Sequence, residues 1–242
     1  MDLSELPTIK AERVTDTVYQ LLKENIIDQK LPAGYKINPD ELAGRLGVSR
    51  TPVHEALVLL ATDGLVEILP RKGTFVTEFT LEDIAETLDV RRALELLACE
   101  TVVETATTDD LTVLRELIAR MEASAQEATT VREAARLHDA RNLEFHQRLV
   151  TLSRNRHLIA TYENLRSHLR IARAHVDASA WRERLPEEKK EHERILAALE
   201  ARDLAELKDA LDSHLRRSKT SLLADLASQE RRNQEQEGAF SN

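Results

Sequence analysis

Five of the six glycines, Gly34, Gly44, Gly47, Gly64 and Gly73, precede residue 74, and five of the six prolines precede residue 71. Only Gly238 and Pro186 lie beyond. Glycine and proline are the residues that most readily interrupt a helix or set a turn. The first part of the chain must therefore turn often. The remainder has almost nothing to stop a helix. That asymmetry predicts a compact, turn-rich unit over residues 1–79 and an all-helical unit over 80–228. The chain of 242 residues is long enough for two modest domains.

The hydrophobic spacing fills in both units. Val14, Val18, Leu21, Leu22 and Ile26 fall on one side of a helix over Arg13–Ile27. LPAGYKI reads as a turn entering a short extended piece, and Asn38 or Asp40 starts a second helix, DELAGRL. Gly47 breaks it, and a third helix runs over Ser49–Gly64 to a glycine stop. Leu65–Leu69 and Thr74–Phe79 then read as strands joined by the turn PRKG. Helix, helix–turn–helix and β-hairpin in that order make a winged helix-turn-helix. Beyond Thr80, where TLED suggests a capping box, helices are expected near 81–106, 109–127, 130–152, 155–178, 186–201 and 203–228. Short connections predict an antiparallel bundle, so the chain is mainly α. The tail 229–242, SQERRNQEQEGAFSN with its preceding serine, holds little apolar surface and is expected to be flexible.

The run LGVSRTPVHEAL opens the third helix. Ser49 suits an N-cap, Pro52 suits a first turn, and Val53, Ala56 and Leu57 form the inward face. That leaves Arg50, Thr51 and His54 as polar groups at an exposed helix start. The second helix of a helix-turn-helix presents its first residues to base edges in the major groove. There Arg50 can donate twice to a guanine, the Thr51 methyl can meet a thymine methyl, and Ser49 with the helix N-terminus favours a phosphate. His54 lies one turn on. Arg71 and Lys72, beside Gly73 at the hairpin tip, form a basic wing suited to the DNA backbone or minor groove. Bulk charge does not supply this affinity: residues 1–79 carry 9 Lys+Arg against 12 Asp+Glu, giving −3, within a chain of net charge −9. Binding has to come from locally placed cations.

The bundle holds His138, His146, His157, His168, His175, His192 and His214. Asn142 and His146 are four apart and share a helix face. His192 and His214 are 22 apart around a break near LEARDL, so in an antiparallel hairpin both would sit about 16 Å from the turn, at one height. Three imidazoles and one amide oxygen could then meet. Asp139 is seven residues from His146, about 10 Å along the axis, too far to share an ion directly. Spacing alone leaves a metal site and four unrelated polar residues equally open. Cys99, in the apolar run LELLAC, reads as a core residue, and one cysteine allows no internal disulfide. No apolar run reaches the roughly 18 residues of a membrane span. MDLSELPTIKAER lacks the apolar stretch of a signal peptide, so a cytoplasmic protein is expected.

The stretch LPAGYKINPDELAGRLGVSRTPVHEALVLLATDGLVEILPRKGTFV closely resembles the DNA-binding domain of GntR-family bacterial regulators. The helical remainder resembles the ligand-binding domain of their FadR-type (FCD) subfamily. The resemblance covers roughly residues 10–225. It implies a homodimer on palindromic double-stranded DNA, acting as a repressor controlled by a small carboxylate effector, and no enzymatic activity. It also implies a divalent metal held by His146, His192 and His214. Asn142 stands where the subfamily has aspartate, so one ligand charge is missing. Three imidazoles suit zinc, then nickel or manganese. Arg91, in VRRALE, resembles an arginine that faces the effector pocket, although periodicity does not separate it from Arg92. His54 stands where the family has arginine, which implies an altered contact. Two other readings remain: a metal-free acyl or lipid sensor, and a metal-dependent hydrolase. Against the hydrolase, the chain has no HExxH, and Glu144, two residues from His146, points elsewhere.

Overall fold

The computed structural model describes residues 12–174 and 181–240. The chain divides into two compact units, Met1–Phe79 and Thr80–Asn242. His175 and the end of the helix expected over 155–178 lie outside the described residues.

The first unit contains α1 (Glu12–Ile27), β1 (Lys36–Ile37), α2 (Pro39–Leu46), α3 (Arg50–Thr62), β2 (Val66–Leu69) and β3 (Gly73–Val76). Asn38 caps α2 through its side-chain oxygen, which accepts from the Asp40 and Glu41 amides, and Pro39 needs no partner for a missing N–H there. Gly47 ends α2 at φ 65°, a left-handed conformation that costs glycine little. Gly64 does the same after α3: its N–H reaches Ala61 O and Leu65 N–H reaches Leu60 O, the paired bonds of a Schellman stop. Val53, Ala56, Leu57 and Leu60 of α3 are buried with Val18, Leu22 and Ile26 of α1. Thr15 Oγ1 donates to Glu55 across the two helices, 2.8 Å.

The sheet has three antiparallel strands in the order β1-β3-β2, with Lys36 opposite Phe75 and Ile68 opposite Thr74. The short extended piece before α2 is thus a third strand on the expected hairpin. The strands are also shorter than expected. Ile68 and Leu69 of β2 are exposed, which accounts for the imperfect alternation read in the sequence.

The second unit contains α4 (Leu81–Thr105), α5 (Thr108–Glu127), α6 (Val131–Leu152), α7 (Arg156–Ala174), α8 (Trp181–Glu200) and α9 (Leu204–Phe240). Capping boxes open α4 and α5, with Thr80 answered by Asp83 and Thr107 by Asp110. Arg202, at φ 58° in the α8–α9 turn, donates to the Val103 and Ala106 carbonyls at the end of α4. A cation there satisfies carbonyls that have no helical partner. The core joins Ala98, Cys99 and Val102 of α4 with Phe145, Leu149, Tyr162, Ile195, Leu207 and Leu211.

Two helices differ from expectation. α8 begins at Trp181 rather than 186, because Trp181 is buried and Pro186 costs only one backbone bond this early in the helix. α9 runs to Phe240, so residues 229–240 are helical where a flexible tail was expected. Buried Leu222 and Leu226 anchor the preceding turns, and the Glu, Gln and Arg that follow are good helix formers. Propagating an existing helix is much easier than nucleating one.

Candidate DNA-binding face and metal centre

The first turn of α3 is open. Ser49, Arg50, Thr51 and His54 are all exposed. Ser49 occupies the N-cap position in extended conformation but makes no side-chain capping bond, contrary to its expected capping role. Its hydroxyl is not tied to the helix start. Arg50 Nε donates to Asp40 Oδ1 of α2 at 2.8 Å, with both side chains more than half exposed. Such a pair contributes little to stability and exchanges easily. Asp40 therefore orients Arg50 without removing it from solution.

Arg71 and Lys72 are exposed at the β2–β3 turn, with Arg71 at φ 64°. Gly73 follows at φ 123°, and a Cβ there would lie 2.9 Å from Lys36 Cε. The backbone conformation calls for glycine, since the Lys36 side-chain end could move aside. Lys36 of β1 thus adds a third cation beside the hairpin tip, its Nζ 5.7 Å from the Phe75 ring centre. Sequence reasoning missed it because β1 is only two residues long.

In the bundle, α6 supplies Asn142 and His146, α8 supplies His192, and α9 supplies His214; all four are buried. One ligand atom from each histidine lies within 4.8 Å of the others, a group that could hold a metal ion. The His146 and His214 Nε2 atoms are 3.1 Å apart. Two ligands at about 2.0–2.1 Å from one ion, at angles between 90° and tetrahedral, stand about 2.8–3.4 Å apart. The His192 and His214 ring centres are 4.5 Å apart.

Each imidazole is held from behind. His146 Nδ1 meets Glu95 Oε2 at 2.6 Å, His192 Nδ1 meets the Glu188 carbonyl at 2.8 Å, and His214 Nδ1 meets Glu191 Oε2 at 2.7 Å. Carboxylates and carbonyls only accept here, so each Nδ1 carries a proton, and Nε2 is the nitrogen left to ligate. That is the tautomer a metal requires, fixed as outer partners of metal-bound histidines usually fix it. His192 Nε2 has no hydrogen-bond partner. Burial pushes His146 down to about 4, with Glu95 opposing that shift and Arg91 adding to it. Burial, then His214 and His146, pushes His192 well below its ordinary value. Both rings are neutral at neutral pH.

Arg91 points inward and is 1% exposed, its Nε on Glu95 Oε1 at 2.6 Å. Arg92 instead pairs with Asp212 in a half-buried position, so of the two arginines Arg91 is the buried one. Tyr162 also donates to Glu95 Oε1, at 2.8 Å. Burial alone would raise Glu95, but Arg91 and His146 more than offset it and hold the carboxyl well below its usual range. The Arg91 Nη2 atom is buried without a partner. Glu191 is shared between His214 and Arg217. Sequence reasoning missed Glu95 and Glu191. Their only signal was Glu95 four residues after Arg91.

A cavity of about 320 Å³ reaches His192 from the side of α5, α6 and α8. Ile118, Met121, Ala125 and Leu185 give it apolar walls, His138 and His192 line it too, and the Glu122–Lys189 ion pair, 2.6 Å, borders it.

A winged helix-turn-helix with an exposed arginine at the start of its second helix, followed by a helical bundle that buries three converging histidines, has the architecture of a DNA-binding regulator with a second, helical domain. The comparisons narrow the class. Residues 14–76 match the model for bacterial regulatory proteins of the gntR family, and residues 86–217 match the FCD domain. The chain belongs to the GntR family of bacterial transcriptional regulators, in its FCD-domain branch. It is 37% identical over 151 residues to the uncharacterized HTH-type transcriptional regulator YdhC of Bacillus subtilis, covering 62% of this chain and 64% of that protein. The match thus spans less than two thirds of that relative. It is 25% identical to the HTH-type transcriptional repressor RspR of Escherichia coli, over 84% of this chain and 86% of that one. The fold is that of E. coli McbR/YncC, with TM-score 0.69 at 24% identity, covering 86% of this chain and 96% of the other. YdhC and RspR are both named as HTH-type transcriptional regulators or repressors. Among the described residues no helix is long and apolar enough to cross a membrane.

Proposed function

We infer that this regulator is a repressor whose helical unit senses a small carboxylate at a divalent metal. His146, His192 and His214 hold the ion, with Asn142 as fourth ligand, and zinc suits this donor set best. The observation that carries this reading is the set of three Nδ1–H groups, each on a fixed acceptor, with the three Nε2 atoms converging in a buried space. The donors fit a cation and little else: lone pairs 3.1 Å apart repel unless something positive or a proton lies between them.

When bound, the ion supplies positive charge and open coordination positions, which suit a carboxylate. The ligands are neutral, and the two carboxylates behind them are each paired with an arginine, Glu95 with Arg91 and Glu191 with Arg217. The charge at the centre is therefore left for the effector to neutralise. The walls of the adjacent cavity favour an acid with an apolar body over a polyhydroxylated one. Arg91, on α4, acts through Glu95 and His146, and its unpartnered Nη2 leaves one donor for the effector.

In the DNA-binding unit, Arg50, Thr51 and His54 read base edges, Ser49 meets a phosphate, and Arg71, Lys72 and Gly73 form the wing. The operator is palindromic because the protein acts as a homodimer, in the cytoplasm where its DNA lies. Val90 and Leu97, exposed at 46% and 50% one heptad apart on α4, support a second copy as the cover of that face. Effector and operator are then linked by about 1–3 kcal/mol, typical of such coupling.

A thermal-shift screen of carboxylic acids, with and without zinc, tests the sensing. An acid that binds the folded state raises the midpoint as RT ln(1 + [L]/Kd). The expected result is a shift by an apolar-bodied acid that disappears when zinc is removed. A shift of equal size in metal-free protein would support a metal-free acyl sensor instead.

A further inference from the structure

The substitution of an amide for a carboxylate at position 142 has a counterpart on the neighbouring helix. Asn142 and His146 are one turn apart on α6, and Glu188 and His192 are one turn apart on α8. The helices are bridged at both levels. Asn142 Nδ2 donates to Glu188 Oε1, and one turn on the His146 and His192 rings lie 5.5 Å apart. Glu188 also accepts the His192 Nδ1–H with its backbone carbonyl. One residue therefore braces two members of the histidine–asparagine set.

The bond also decides which way the amide faces. A carboxylate accepts and does not donate, so Nδ2 must face Glu188 and Oδ1 must face away. Asn142 is fully buried, and its Oδ1 has no partner. The amide is thus fixed with its ligating atom uncommitted, one turn from His146. Glu188 is only half-buried; its carboxylate accepts from the neutral amide, and its charge also acts on Arg217 at longer range.

We propose that Glu188 is a positioning residue of the metal site, holding the Asn142 amide with Oδ1 toward the ion and carrying on α8 the negative charge that an aspartate at 142 would carry on α6. This rests on the metal reading above. It has a consequence that a simple charge count does not: an aspartate at 142 would face the Glu188 carboxylate, and like charges at hydrogen-bond range oppose each other. Restoring the carboxylate at 142 is then favourable only when the one at 188 is removed.

The test is zinc affinity, measured on the full chain by competition with a chromophoric chelator, for wild type, E188Q, E188A, N142D and N142D/E188Q. Metal-free thermal unfolding accompanies each, and E188Q keeps shape and hydrogen bonding should E188A fold poorly. E188A is expected to lower affinity about 10–100-fold, the range for lost outer partners of metal ligands. E188Q should lower it less. N142D alone should bring no gain, whereas N142D/E188Q should bind at least about tenfold more tightly than N142D. The sign of the Glu188→Gln effect thus inverts between the two backgrounds. Glu188 variants within about twofold of wild type, or an equal gain from N142D in both backgrounds, would overturn the proposal and leave the metal site standing. A wild type that binds no zinc would overturn the metal reading itself.

Discussion

Replacing Glu95 by glutamine should disable the metal centre without touching a ligand. Glu95 is fully buried and serves three donors with two oxygens: Oε1 takes Arg91 Nε and the Tyr162 hydroxyl, and Oε2 takes His146 Nδ1. Glutamine keeps one oxygen. Placed on Arg91 and Tyr162, it turns its NH2 toward His146 Nδ1, which must then give up its proton and accept. The proton moves to Nε2, and the lone pair that faced His192 and His214 is gone. The opposite placement leaves Arg91 facing an NH2. Either way a buried ion pair loses its negative partner, a change that costs about 3–5 kcal/mol. For a helical unit of this size that lowers the melting midpoint by roughly 6–20 °C. The loss of an outer partner also lowers zinc affinity about 10–100-fold or more. Urea unfolding of metal-free protein gives the first number and chelator competition the second. Nitrogen-15 imidazole shifts report the tautomer directly. E95Q within about 1 kcal/mol of wild type, with unchanged zinc affinity and His146 still protonated at Nδ1, would refute this reasoning.

Two further predictions concern the DNA-binding unit. Arg50→Ala should weaken binding to a selected operator by about 1–3 kcal/mol, the range for one bidentate base contact, in fluorescence anisotropy at fixed salt; equal affinity would remove Arg50 from the recognition surface. His54→Arg should tighten binding to a family-like site or shift base preference in a randomised half-site selection. Unchanged affinity and preference would exclude His54 from readout.

The fold was readable because its signals are local. Gly47, Gly64 and the capping residues at Thr80 state where helices stop and start, and each acts through neighbours in the chain. The β1 strand was harder, since Lys36 and Ile37 become a strand only by pairing with Phe75 and Thr74. The extent of α9 was misjudged because apolar content reports burial, whereas continuing an existing helix needs only propensity. In the bundle, helical rise and one turn position paired His192 with His214, while His146 joined them through its spacing to Asn142 and the family resemblance. Glu95, Glu188 and Glu191 were not. They act across helices, from α4 to α6, α8 to α6 and α8 to α9, and no spacing within one helix encodes which carboxylate meets which imidazole. Arg91 illustrates the same limit, since two adjacent arginines separate only when Glu95 takes one and Asp212 the other.

The most direct measurement is the metal content of the purified full chain after equilibration with zinc and removal of excess by gel filtration without chelator. The account predicts one ion per chain for wild type, and loss of that ion in His146→Ala, His192→Ala and His214→Ala, because each removes one of three converging imidazoles. Wild-type protein that retains no zinc, or histidine variants that retain it in full, would contradict the account.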